Sequence, residues 1–532
     1  MGKKCARNET IEMTIWIDIE DLLIHFYSTT RPSGIQRLCF EIYRELWRCN
    51  TEDRPIRFIR HLPNGRDFEE IYWPDVEQHI TAAVASHHAP VPPSSPPPVS
   101  SDIVAPEIPG PPPVSPLRQW GRQLPADVRA PVAAFVRAQV NSGEALRVSV
   151  RMARTALRAQ RHAARAMLDI MKGGRRCLGL GGTGALMPAA TIAPTQTLQP
   201  AAEDHTATTP KIVNGRAIHP DAGDVILSIG ASWPGGYYAA MIAAAKEQYG
   251  VRFAVMIYDL IPLNWPEWAV KELRRQFIDW LGPIIGLADN LFTISNATAA
   301  DIIAFAVRES IPIQTPQIVP IGVTFPDRTK LPPIQFEPYV LFVSTIETRK
   351  NHILMFRLWR RMLNLLPRDQ VPNLVFAGKI GWLTQDLMAQ IENSSLLDGK
   401  LKIVESPSDR DLASLYQHCL FTVFPSFYEG WGLPVTESLT FGKTVAASNR
   451  ASVPEAGGEF CVYFDPEDMS DAYRVITQLI FEPERVAALE AKIASTFRPP
   501  SWADSAAAII AAVDRGRVDP APMILDAVTV VE

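Results

Sequence analysis

The chain predicts an α/β protein with parallel sheets in two domains or more, and three observations carry that expectation. Short, nearly continuous apolar runs alternate with helical patterns, most regularly from Tyr339 to Phe464. Strands buried on both faces and separated by helices indicate parallel sheets with right-handed crossovers. At 532 residues the chain is long enough for two domains or more. Finally, two of the runs lead into a glycine turn and then directly into a helix. That order places a ligand at the C-terminal edge of a parallel sheet, against a helix N-terminus.

The first domain is expected over 10–330. Met13 to Ile19 reads as its first strand, followed by a loop ending Arg31-Pro32-Ser33-Gly34 and a helix with apolar Leu38, Ile42 and Leu46. Ser33 can cap that helix, and Gly34 lets the backbone approach a diphosphate, with Arg37 one turn further on. A plain capped helix start is the alternative. Ile56–Leu62, Asp224–Gly230, Arg252–Ile257 and Leu291–Ser295 read as further strands, and Gln317 to Gly322 closes the domain. Tyr258 and Asp259 fall at the C-terminal end of one of these strands, where ligands collect. Asp259 either caps the turn there or binds an acceptor.

An insertion interrupts this domain at about 82–209. Ala89 to Pro116 is rich in Pro, Ser and Val and reads as an extended linker. The next segment, about Ala145 to Met171, places Arg147, Arg151, Arg154, Arg158, Arg161 and Arg165 on one helix face beside a shallow apolar stripe. Such a helix either lies on an anionic membrane surface or packs on its own domain with a solvated Arg face. Gly179 to Gly184 matches a G-x-G-x-x-G pattern, but Arg175-Arg176-Cys177 is no strand and Pro188 and Pro194 cut off any following helix. It is therefore not a dinucleotide site.

A Pro-containing linker at 330–338 leads to the second domain, expected over 336–490, with a C-terminal helix and tail over 491–532. The most informative stretch is Leu420 to Gly442. Its apolar run to Phe424 is stopped by Pro425 and Ser426. Gly430 and Gly432 allow a tight turn, and Pro434 suits the start of a helix. Glu429 in the loop and Glu437 in the helix's first turn flank an anion-attracting helix N-terminus. A ligand with hydroxyls on both sides of a phosphate, such as a nucleotide-sugar, fits that pattern. Arg349 and Lys350, after the strand Tyr339–Ser344, supply adjacent cations for a diphosphate, one a planar fork and one a point charge.

The stretch around Glu429 and Glu437, with Gly430-Trp431-Gly432-Leu433-Pro434 between them, resembles the signature of the family-4 retaining glycosyltransferases, which implies the GT-B fold, two Rossmann-like domains facing a cleft. The resemblance implies that Glu429 contacts the donor sugar hydroxyls and that Glu437 contacts the ribose. It further implies that Gly34, Arg37 and the 430–433 turn border the donor, and that Arg349 and Lys350 stabilise the leaving diphosphate. Ser344 stands where that family has Gly, and Tyr258 where many members have His. Tyr258 retains a backbone carbonyl and a hydroxyl that can donate. The segment Thr345–Asn351 and the Ser448-Asn449 loop look like bacterial mannosyl- and rhamnosyltransferases of surface polysaccharide assembly. This implies GDP-mannose as donor and a glycan or lipid-linked oligosaccharide as acceptor.

The net charge of −5 gives no global attraction to nucleic acid. The six cysteines form no C-x-x-C pair, which argues against a metal knuckle and favours a reducing compartment. No D-x-D-like pair stands at a strand end, so no essential metal or other cofactor is expected. No signal-peptide core and no bilayer-length apolar run are found, so a cytoplasmic protein is expected, with possible peripheral contact at the inner membrane face. Two other readings remain: another GT-B enzyme such as a nucleotide-sugar epimerase, and a non-catalytic GT-B scaffold.

Overall fold

The computed structural model describes residues 13–28, 34–62, 67–86, 216–233, 236–325, 331 and 337–516. The chain divides into Met1–Val91 with Thr208–Glu532, and Pro92–Ala207. The second unit lies wholly outside the described residues, as do the Pro-rich stretch, the Arg-striped segment, Ser33 and most of the 330–338 linker.

The first sheet contains β1 (Ile15–Asp18), β2 (Ile56–His61), β3 (Phe68–Ile71), β4 (Arg216–Ala217), β5 (Val225–Ser228), β6 (Arg252–Ile257), β7 (Asn290–Thr293) and β8 (Gln317–Ile318). Their order is β4-β3-β2-β1-β5-β6-β7-β8. From β2 to β8 the pairing is parallel, whereas β3 and β4 add antiparallel at one edge. The central strands earn their place by composition. All four residues of β5 (Val-Ile-Leu-Ser) are buried, as are five of six in β6.

The second sheet contains β9 (Tyr339–Val343), β10 (Asn373–Ala377), β11 (Leu401–Val404), β12 (Thr422–Phe424), β13 (Val445–Ser448) and β14 (Cys461–Phe464), ordered β11-β10-β9-β12-β13-β14 and parallel throughout. Both sheets therefore reverse their winding once, between β1 and β5 in the first and between β9 and β12 in the second. Loops leaving the two strands at such a reversal diverge and open a crevice at their C-terminal ends.

The last described helix, Trp502–Asp514, returns to the first domain. Trp502, Ile509 and Val513 belong to the same apolar core as Ile15, Leu38 and Ile42. Trp502 Nε1 donates to Thr324 Oγ1 at 2.8 Å, Asn290 Nδ2 to the Ala512 carbonyl at 3.2 Å, and Arg54 pairs with Asp514 at 2.9 Å. A Cβ on Gly322 would stand 2.6 Å from Trp502, so glycine is what lets the returning helix dock.

Two segments differ from their expectation. The stretch after β1 is not simply a loop: Glu20–Ser28 is a helix, with Leu22 and Leu23 buried. The Phe68–Ile71 strand and the helix Trp73–Ser86 give no alternating signal, because Glu69 and Glu70 fill the middle of the strand. The core nonetheless closes over Trp73, which is fully buried and stacked on Phe58 at 4.6 Å. Among the described residues no helix is long and apolar enough to cross a membrane.

Candidate active site

The crevice between β9 and β12 brings the predicted cations and the predicted glutamate together. After β9 a tight turn, Thr348–Lys350, presents Arg349 and Lys350. It is closed by Asn351 in the left-handed conformation (φ 62°). Asparagine tolerates that geometry better than most residues. Its buried amide also donates to the carbonyls of Pro425 at 3.2 Å and Pro466 at 2.9 Å, which fixes the turn against the β12 loop.

Glu429 sits in that loop and is 7% exposed. Its Oε2 lies 2.6 Å from Arg349 Nη1 and its Oε1 lies 2.6 Å from Lys350 Nζ. Arg349 also reaches Glu347 at 2.8 Å and donates to the Tyr428 carbonyl at 2.7 Å. Burial alone would raise the Glu429 pKa, but Arg349 and then Lys350 outweigh it and hold the carboxyl at about 2. Burial lowers the Lys350 ammonium below its ordinary value, with Arg349 adding to the shift and Glu429 opposing it. For Arg349 burial is overcome by Glu429 and Glu347, so its pKa is raised. Arg349 and Lys350 thus share ion pairs with Glu429 and Glu347.

Glycine geometry sets the turn. A Cβ on Gly430 would lie 2.3 Å from the Tyr258 carbonyl oxygen, so the turn can press against the first domain only with no side chain there. Gly432 has φ +132° and precedes the helix Leu433–Thr440, in which Pro434 is the second residue. The Ser452 hydroxyl lies 2.8 Å from the carbonyls of both Glu429 and Trp431 and braces the turn from below. Trp431 and Leu433 pack against the first domain's core, and Trp431 also against the second's. Among the described residues the buried Trp431 Nε1 has no hydrogen-bond partner.

Glu437 falls in the second turn of its helix, one turn later than expected. It accepts from Tyr416 OH at 2.8 Å. Burial raises its pKa, while Arg37 and the Tyr416 hydrogen bond pull it back. Arg37 comes from the helix Gly34–Arg48 and bridges the domains. Its Nη2 donates to the Thr324 carbonyl at 2.9 Å, and its Nη1 lies 3.6 Å from Asp409. Among the described residues nothing stands within 4 Å of where a Cβ on Gly34 would sit.

Tyr258 and Asp259 meet the site differently. The Tyr258 hydroxyl donates to the Ile229 carbonyl at 2.5 Å, within the first domain's core, and only its backbone abuts the Gly430 turn. Asp259 caps its own turn by accepting from Ile261 N at 3.0 Å. Burial raises its pKa, with Arg349 opposing, so it also faces the cation pair. Polar contacts hold the two domains together here. Glu455 accepts from the amides of Asn296 at 2.7 Å and Ala297 at 2.9 Å, capping a first-domain helix, and Tyr428 OH donates to Asp301 at 2.6 Å.

Residues 325–496 match the family model described as "Glycosyl transferases group 1". This stretch is a group 1 glycosyltransferase domain. With its parallel six-stranded sheet beside a second Rossmann-like sheet, the fold is GT-B. The serotype-specific mannosyltransferase WbdA of Escherichia coli is 28% identical over 243 residues, covering 42% of this chain and 29% of WbdA. The O-antigen chain mannosyltransferase B of the same organism is 28% identical over 225 residues, covering 41% of this chain and 58% of that protein. The match thus spans less than two thirds of either relative. The crystal structure of TarM aligns over 55% of this chain and 54% of its own at 15% identity, with a TM-score of 0.42.

A feature that motif reading missed lies at the first sheet's reversal. Asp18 ends β1, His61 ends β2, and they meet at 2.9 Å through Asp18 Oδ2 and His61 Nε2, with both side chains under a tenth exposed. Asp21 accepts from Ala231 N at 2.9 Å, and Gly230 packs so closely beneath it that a Cβ there would overlap the carboxylate. The clue in the sequence was Asp18-Ile-Glu20-Asp21, three acids at a strand's C-terminal end.

Proposed function

We propose that this chain transfers a mannosyl unit from GDP-mannose to a glycan or lipid-linked oligosaccharide, with retention of anomeric configuration, in polysaccharide assembly. The observation that carries the reading is Glu429 held ionised between Arg349 and Lys350 at the second sheet's reversal, within the group 1 glycosyltransferase domain. The donor's diphosphate would lie against Arg349, Lys350 and the helix start at Leu433. These groups offer fixed charge where negative charge develops. Glu437 would hold the ribose and Glu429 the sugar hydroxyls. In the transfer the bond from the anomeric carbon to the phosphate oxygen breaks, and its electron pair leaves with the diphosphate. An acceptor hydroxyl attacks from the same face and gives its proton to the departing phosphate oxygen. Glu429 is then a positioning group rather than a nucleophile. The cation pair would serve the leaving group without a metal ion. The names of the E. coli relatives support the choice of mannose.

A thermal-shift panel of nucleotide-sugars tests the donor. A ligand at a hundred times its Kd adds about 2.7 kcal/mol, so GDP-mannose should raise Tm above UDP-sugars. NMR of the product should show an α-linkage from the α-configured donor, with turnover unaffected by EDTA. An isomerised free sugar-nucleotide would favour an epimerase, and no turnover a scaffold. The Arg stripe over 147–165 is carried into this reading as a contact with an anionic membrane. Sedimentation with vesicles of anionic and of neutral lipid tests it, and equal pelleting with both would remove it.

A further inference from the structure

The loop that carries Glu429 is tied to both domains. On the second-domain side it is joined to the cation turn. The Phe427 amide donates to the Arg349 carbonyl at 3.0 Å, and Arg349 Nη1 donates to the Tyr428 carbonyl at 2.7 Å. On the first-domain side the Tyr428 hydroxyl donates to Asp301 Oδ2 at 2.6 Å. We propose that Tyr428 is a positioning residue: its hydroxyl, anchored on Asp301, sets the register of the Glu429–Arg349 ion pair against the first domain, and sugar transfer depends on that register. This rests on the glycosyl-transfer reading and adds a residue outside the donor-binding set.

The anchor is firm. Asp301 lies in the helix Asn296–Glu309. The start of that helix is held from its own side by Ser295, which accepts from Thr298 N at 3.1 Å, and from the second domain by Glu455 on the amides of Asn296 and Ala297. The Thr298 hydroxyl also donates to the Tyr258 carbonyl at 3.1 Å, the same oxygen that a Cβ on Gly430 would meet. One helix therefore supports the loop at Tyr428 and, through Tyr258, at Gly430.

Rings flank that bond. Phe427 stacks on Trp268 with centroids 5.8 Å apart and planes 12° apart, Trp268 stacks on Trp265 at 4.9 Å, and the Tyr428 ring lies 5.8 Å from Trp265. Trp382 of the second domain donates from Nε1 to the Trp268 carbonyl at 3.0 Å. Stacked rings hold the loop close but tolerate sliding, because dispersion contacts have no fixed direction. A short hydrogen bond to a carboxylate does have one, and it selects a single register. Burial raises the Tyr428 hydroxyl pKa above its ordinary value, with the Asp301 hydrogen bond adding to the shift, so the hydroxyl keeps its proton and donates.

The register reaches the charges directly. Arg349 Nη1 touches both the Tyr428 carbonyl and Glu429 Oε2, while Nη2 is held by Glu347 at 2.8 Å. A shift of Tyr428 therefore moves Glu429 along the backbone and takes an acceptor from Arg349, whose other nitrogen stays with Glu347. The charges would remain close enough to bind a diphosphate but would no longer meet the sugar at the right place. A misplacement of about 1 Å in a positioned group can cost about a hundredfold in rate.

The test uses the full chain and the donor that the nucleotide-sugar panel selects. Tyr428→Phe keeps the ring and removes the hydroxyl. It should lower kcat about tenfold, the loss of one hydrogen bond to a charged group, with donor KM and the Kd of the nucleoside diphosphate within about twofold of wild type. Asp301→Ala should act alike, and the double variant should fall no further than either single one. A second readout needs no turnover. In a chain with isotope-labelled arginine, the Arg349 guanidinium NMR signal, assigned by its loss in Arg349→Lys, should shift in Tyr428→Phe. Glu455→Gln weakens a different interdomain contact and should lower kcat less than Tyr428→Phe. The proposal is overturned if Tyr428→Phe leaves the Arg349 signal unmoved, if it leaves the kcat of an active enzyme unchanged, or if Glu455→Gln lowers kcat as much, which would make domain adhesion the cause. If the wild type turns over no nucleotide-sugar while the Arg349 signal shifts as expected, the glycosyl-transfer reading falls and the placement of the ion pair by Tyr428 stands.

Discussion

Each sheet reverses its winding once, and the two crevices so formed carry opposite electrostatics. At the β9/β12 reversal Glu429 is buried between two cations, and its carboxyl is held at about 2. At the β1/β5 reversal Asp21 meets a backbone amide and other acids, and burial lifts it to about 6, with the Ala231 amide opposing and Asp18 adding to the shift. One topology thus yields two carboxylates of opposite behaviour, and the difference lies in which side chains the neighbouring loops bring. Arg349-Lys350 follows β9, whereas Glu20-Asp21 follows β1. The β9/β12 crevice suits an anion, whereas the acid-lined β1/β5 crevice does not.

The contrast breaks most sharply at Glu429. Glu429→Gln leaves two buried cations short of an anion, and losing one partner of such a cluster costs about 3–5 kcal/mol. Urea unfolding should show that loss, and turnover should fall with it. An unchanged midpoint would mean the ion cluster is structurally idle.

pH separates the crevices by sign. Asp21 is raised above its ordinary value of 3.8 to about 6. The native state therefore binds more protons than the unfolded chain between those values, and Asp21's contribution lowers stability as pH rises through that window. Asp21→Asn should flatten that fall, an effect of about 3 kcal/mol at neutral pH. Glu429 works the other way. Its contribution is full above 4.5 and is lost as pH drops towards 2. Unfolding curves at pH 4, 5, 6 and 7 for wild type and Asp21→Asn measure the difference.

Between the crevices, Gly430→Ala should force the turn away from the Tyr258 carbonyl. A backbone contact of 2.3 Å cannot be relieved by a rotamer change, so the cost is about 1–3 kcal/mol, together with weaker donor binding. The smallest effect is at Glu437. Glu437→Ala removes one acceptor facing Tyr416 and Arg37 and should weaken GDP binding about tenfold, with Tm nearly unchanged without ligand. Equal GDP binding would detach Glu437 from the nucleotide.

The second crevice was legible because its signals are local. A buried apolar strand, Gly430 and Gly432, a helix start and two adjacent cations each stand within a few residues, and a parallel sheet can join them in only one way. The first crevice was not legible, because Asp18, His61, Ser232 and Tyr238 come from distant parts of the chain and no spacing links them. The helix Glu20–Ser28 was hidden by its brevity and its acidic start, and β3 by Glu69 and Glu70. Tyr258 shows the limit of reading by position. Its place at the strand end was correct, but its hydroxyl serves the core, a matter of rotamer and not of sequence.

The return of Trp502–Asp514 to the first domain has a mechanical consequence. The polypeptide passes between the two sheets twice, once before β9 and again ahead of Trp502, so the halves are tethered at two points instead of one. Relative rotation is then restricted to an axis through both tethers, as a door turns on a pair of pins.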